Sequence, residues 1–138
     1  MIVVDTSALI EIAVLGSRAA DCAVALDEAP RVAMSAGTLS ELLIVALGKG
    51  GRELRVTVEE LLEDFDPRVV DLNASAARKV ADVYARYGKG SDSNCLNWGD
   101  CYAYSVAREL DAPLLYIGKD FSKTDIESVL ANPNPEHI

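Results

Sequence analysis

The chain has 138 residues, 50% hydrophobic and 25% charged, the make-up of one ordinary globular domain with a core of its own. Its net charge is −9, so any hold on nucleic acid must come from a local basic patch or from bound cations. The single histidine, His137, lies in the tail, which excludes Ser-His-Asp and Cys-His nucleophiles, histidine-ligated zinc and a histidine general base.

No apolar run approaches the roughly 18 residues of a membrane span. Asp5 and Glu11 stand where a signal peptide would be basic, so the expected compartment is the cytoplasm. Three cysteines, Cys22, Cys95 and Cys101, have no metal-type spacing and read as reduced thiols.

In chain order, residues 2–5 read as a short buried strand and 7–12 as a brief helix, with Gly16 interrupting. Residues 18–28 are alanine-rich and helical, and 32–35, "VAMS", form a second strand. Residues 38–47 set Leu39, Leu42, Leu43, Ala46 and Leu47 on one helical face, and "GKGG" at 48–51 breaks that helix. A further helix covers 53–65, and a third strand covers 68–72. A helix over 74–87 and a polar loop over 88–96 lead to a helix over 98–110. Residues 113–117 are a fourth strand, and 126–130 add an edge strand. Residues 1–130 read as a single domain, and 131–138 as a polar, mobile tail. Strands alternating with helices predict an α/β sandwich, and short apolar strands predict a sheet covered on both faces.

Open parallel sheets carry their sites outside the carboxyl ends of the strands. Asp5 ends the first strand, Glu41 follows the second, Asp120 follows the fourth, and Asp100 opens a long helix. Taken singly, each acid has a structural reading. Asp5 is a helix cap, Thr38 to Glu41 fits a capping box, Asn97 to Asp100 has the same spacing, and Asp120 suits a turn. Capping does not explain why four such acids should share one edge. Close carboxylates raise one another's pKa, a cation relieves them, and an oxygen-only set favours Mg²⁺ or Mn²⁺.

"MIVVDTSALI", "SAGTLSELLIV", "LNWGDCYAYSVAREL" and "LLYIGKDFSKTDI", in that order, resemble PIN-domain ribonucleases, most of all the VapC toxins of bacterial toxin–antitoxin pairs. The resemblance implies a PIN-like three-layer α/β/α sandwich around a short, mainly parallel sheet of four to five strands. It implies a metal-dependent endoribonuclease with Asp5, Glu41, Asp100 and Asp120 as its acids, Thr6 or Ser7 supporting the first. Asp5 and Asp100 would bind Mg²⁺, with Glu41 and Asp120 completing the shell. Lys119 stands where related sequences often carry a second acid, and Asp125 is a possible stand-in for the fourth position. A VapB-type antitoxin and a homodimer are also implied. The apolar helices 39–47 and 53–65 are candidates to receive the antitoxin.

Phosphate contacts are proposed for Lys49, Arg52, Arg86, Lys89 and Lys119, each of which also reads as an ordinary solvated cation. Tyr87 or Trp98 offers a base-stacking ring, with packing the favoured role for Trp98. Neither "GKGG" nor "GKGS" completes a P-loop. Two other readings compete. One is a catalytically silent PIN-like module that binds RNA or protein. The other is a phosphotransfer domain: a dehalogenase-like phosphatase needs Asp-x-Asp at 5–7, where residue 7 is Ser, and a receiver needs an acidic pair beside a phosphoacceptor such as Asp71.

Overall fold

The structure is a computed structural model, and it describes residues 1–135. The elements run β1 Ile2–Val4, α1 Thr6–Ala13, α2 Ala19–Glu28, β2 Val32–Ser35, α3 Ala36–Phe65, β3 Arg68–Val70, α4 Ala74–Tyr87, α5 Trp98–Glu109 and β4 Leu114–Leu115, then a 3₁₀ turn at Asp120–Lys123. The four strands lie in the order β3-β2-β1-β4, every pair parallel.

Alternation along each strand divides the core. Val3, Ala33 and Leu114 face one way, onto a cluster with Val80, Tyr87, Cys101 and Tyr104 of α4 and α5. Ile2, Val4, Met34 and Leu115 face the other way, onto Leu9, Cys22, Leu26, Leu42 and Val58 of α1, α2 and α3. This is the period-two pattern of a sheet buried on both faces, and it makes the predicted three layers. All three cysteines are unpaired. No helix among the described residues is long and apolar enough to cross a membrane.

The "GKGG" stretch breaks the helix as expected: α3 begins at Ala36, capped by the Ser35 hydroxyl, runs past Gly48 and Gly50, and resumes beyond a kink. The break is confined to Gly51, at φ 65° and ψ −154°, a conformation glycine alone adopts without strain. Glycine inside a helix costs about 1 kcal/mol relative to alanine, too little to stop one held by tertiary packing. Two expectations change. Thr38 is not a cap. It lies inside α3, fully buried, and Ser35 does the capping. Finally, 126–130 contributes one parallel bridge, Ser128 to Leu114, in place of an edge strand, because β4 itself is only two residues long.

The chain end folds back. Arg18, buried at the start of α2, donates to the Asn132 and Asn134 carbonyls, and the Gly118 amide donates to the Pro133 carbonyl at 2.9 Å. The remainder of the tail, with His137, lies outside the described residues.

Candidate active site

β1 delivers Asp5 to the carboxyl edge of the sheet, where it caps α1. Its Oδ2 accepts from the Ser7 amide at 3.1 Å and the Ser7 hydroxyl at 2.6 Å. Its Oδ1 is buried without a partner. Asp100 is the third residue of α5 and closes a capping box with Asn97: its Oδ2 accepts from the Asn97 amide at 3.0 Å. Both carboxylates are buried, at 3% and 7% exposure. The capping readings of Asp5 and Asp100 are therefore right as geometry, yet a cap rarely needs such burial.

Glu41 comes from α3. Its Oε1 accepts from the Thr6 hydroxyl at 2.6 Å, so Thr6 serves Glu41 while Ser7 serves Asp5. Asp120 opens the exposed 3₁₀ turn. Electrostatics link the set. Burial chiefly, with the Glu41 charge adding, pushes the Asp5 carboxyl up to about 6 against the Ser7 hydrogen bonds. Burial first, then the charges of Asp5 and Asp120, push Asp100 up to about 8. Glu41 thus acts on Asp5, and Asp5 and Asp120 act on Asp100, though the four come from separate elements.

Asp125 is placed otherwise. Its carboxylate accepts from the Tyr104 and Tyr87 hydroxyls and faces Arg108, so Asp120 is the acid that shares Asp100's field. Among the cations, Lys119 adjoins Asp120, whereas Arg86 lies over the Tyr87 ring at 4.7 Å. Lys49 and Arg52 are exposed on either side of the Gly51 kink, and Lys89 sits exposed in the 88–96 loop.

Sequence reading missed two residues, Lys123 and Gly99, and misjudged Trp98 as packed. Lys123, in the 3₁₀ turn, exerts its charge on Cys95 together with Asp120 and Asp100, so it belongs to the acids' surroundings. Gly99 lies against Glu41, where an added Cβ would stand 1.4 Å from Oε2. Its place between cap and acid in "NWGD" was the available signal. Trp98 is not packed inside: it is 69% exposed and, with Ile44, Leu72 and Tyr102, walls a groove of about 540 Å³ that reaches Glu41.

The site suits a hard divalent cation. Its donors are oxygens, one buried carboxylate oxygen has no partner, and burial, with neighbouring acid charges adding, holds two acids above their ordinary range. Among the described residues no three acidic or thiol side chains already enclose an ion position. Unneutralised carboxylates repel, and here Glu41 is turned to Thr6 and Asp100 to the Asn97 amide.

The PIN domain family matches residues 2–127. Ribonuclease VapC42 of Mycobacterium tuberculosis is 38% identical over 125 residues, 90% of this chain and 95% of the relative. The solved structure of VapC20 from Mycobacterium tuberculosis, described as a sarcin-ricin loop cleaving toxin, shares the fold with a TM-score of 0.78 at 18% identity, over 94% of this chain and 98% of that one. A toxin-antitoxin complex from Klebsiella pneumoniae does so with a TM-score of 0.63 at 18% identity, over 88% and 91%. By sequence and by fold, this chain belongs to the PIN-domain family, alongside its VapC members.

Proposed function

We propose that this chain is the toxin of a type II toxin–antitoxin pair, an endoribonuclease hydrolysing RNA phosphodiester bonds with Mg²⁺, or Mn²⁺ in its place, at Asp5, Glu41, Asp100 and Asp120. The observation that carries this is the pair of buried aspartates, Asp5 and Asp100, held in one another's field with an oxygen left unpartnered. The ribonuclease names of relatives at this level of identity support the same reading.

Asp5 and Asp100 would hold the ion, with Glu41 and Asp120 at its margin. A divalent cation there supplies acidification of water and neutralisation of charge on the reacting phosphate. The protein's own part is orientation. Ser7 fixes one Asp5 oxygen and leaves the other free, and Thr6 fixes Glu41. Burial and the neighbouring acid charges raise the Asp100 carboxyl to about 8, so a cation binding there would favour release of its proton. Lys119 and Lys123 flank Asp120 with positive charge, where an RNA phosphate needs it in a chain of net charge −9.

A VapB-type antitoxin is proposed for α3, where Leu47 and Val56 are exposed along a groove of about 800 Å³ edged by Arg52, Arg55 and three glutamates. A homodimer is proposed on the apolar face of Ile44, Leu72, Tyr84 and Trp98, all exposed. The compartment that fits reduced thiols and an RNA substrate is the cytoplasm.

The test is cleavage of total cellular RNA by purified protein, with Mg²⁺ and with chelator, alongside Asp5→Asn. Discrete Mg²⁺-dependent fragments, absent in the variant, are expected. Folded protein that cuts no RNA in any divalent ion, or cutting that survives Asp5→Asn, would contradict it.

A further inference from the structure

The segment carrying Asp120 is pinned at both ends. At its start the Ile117 amide donates to Ser7 Oγ at 3.0 Å, and that hydroxyl donates to Asp5 Oδ2. In its middle Phe121 is buried, its ring 4.8 Å from that of Tyr116. At its end Asp125 Oδ1 accepts from the Tyr104 hydroxyl and, at 3.4 Å, from the Tyr87 hydroxyl. Arg108 stands 3.9 Å from Oδ2. Both tyrosines are buried, with rings 5.3 Å apart.

Between these pins lies a 3₁₀ turn of four residues, Asp120–Lys123. Such a turn is too short to hold itself, so its place is set by its anchors. Thr124 removes the slack between turn and anchor: its hydroxyl donates to the Phe121 carbonyl at 2.7 Å and accepts from the Ile126 amide at 3.3 Å.

We propose that Tyr104 and Asp125 are positioning residues, a latch that holds the 3₁₀ turn so that Asp120 faces Asp100. The inference rests on the four-acid reading above. Burying two phenols around a half-exposed carboxylate serves no purpose in the core itself. A phenylalanine at either position would pack as well without needing an acceptor. The hydrogen bond from Tyr104 keeps the Asp125 carboxyl below its ordinary range, so the latch stays ionised at neutral pH.

The full chain and its variants Tyr104→Phe, Asp125→Asn, Asp120→Asn and Tyr104→Phe/Asp120→Asn are titrated with Mg²⁺, with binding read from the rise in melting temperature. Tyr104→Phe and Asp125→Asn are each expected to weaken Mg²⁺ binding roughly tenfold, as outer partners of metal ligands do. Asp120→Asn should weaken it at least as much, and the double variant no further, because the latch acts through Asp120. Amide exchange in Tyr104→Phe should quicken across 118–124 and not in β1 or α5. If Asp120→Asn weakens Mg²⁺ binding while Tyr104→Phe leaves it at wild type, or if the two losses multiply, the latch is overturned and the four-acid reading stands. If Asp120→Asn leaves Mg²⁺ binding intact, the fourth acid itself is wrong and the latch falls with it.

Discussion

Two carboxylate sites in this molecule use the same residue type to opposite ends. Asp125 is satisfied: two phenol hydroxyls and an arginine face it, it is partly solvated, and its carboxyl lies below the ordinary range. Asp5 and Asp100 are frustrated: both are buried, like charges surround them, and their carboxyls are pushed up to about 6 and about 8. A satisfied acid holds structure together. In the proposed reading, a frustrated one is where a cation would bind.

The comparison is broken most sharply at the frustrated pair. Asp5→Asn and Asp100→Asn keep an acceptor oxygen for each cap but remove the charge. Cleavage should fall by roughly 10²–10³ or more, the loss typical of removing one preorganised electrostatic group. Circular dichroism should show the fold intact, and loss of the fold would return both residues to a capping role. Next in size is Gly99→Ala. Its methyl group would occupy the Glu41 carboxylate's position, and a displacement of about 1 Å at a catalytic group can cost 10²-fold in rate. Normal cleavage by Gly99→Ala would free Glu41 from the site.

A third outcome concerns pH. The folded pKa values of Asp5 and Asp100 lie above their unfolded value of 3.8. The metal-free fold therefore binds protons more tightly than the unfolded chain does. The stability these acids contribute is complete below about 4 and is lost as pH rises through about 6 and about 8. Melting of the metal-free protein should show that decline, and Asp100→Asn should flatten its upper part. Added Mg²⁺ should reverse it, since an ion that binds only the folded state stabilises it. The smallest effect lies at the satisfied acid. Asp125→Ala leaves two buried hydroxyls without their acceptor and should lower stability by about 1–3 kcal/mol in urea unfolding. The sign is thus opposite: losing the charge at 100 helps the metal-free fold, and losing it at 125 harms it.

Much of this is legible in the order of the residues alone. Asp5 and Asp120 stand out as candidates because a parallel sheet sends its strand ends to one edge, Asp100 because it opens a helix behind an Asn cap, and α4 matches its predicted span of 74–87 because its pattern and its Asn73 cap agree. Other features depend on tertiary contacts that periodicity does not carry. Thr38 and Glu41 spell a capping box, yet Ser35 starts the helix, and Glu41 is met by Thr6, 35 residues away. "GKGG" looks like a breaker of four residues, and only Gly51 breaks. Asp125 reads as a spare acid, because the tyrosines that surround it are 21 and 38 residues distant along the chain.

The measurement that bears most directly on the central claim is the titration of the aspartate carboxyl carbons by NMR, without metal and then in Mg²⁺. Two aspartates should titrate near 6 and near 8 without metal, identified by their absence in Asp5→Asn and Asp100→Asn, and both should drop to the ordinary range or below when Mg²⁺ is added. If both titrate near 4 and ignore Mg²⁺, the two acids are plain helix caps and the site is not a metal centre.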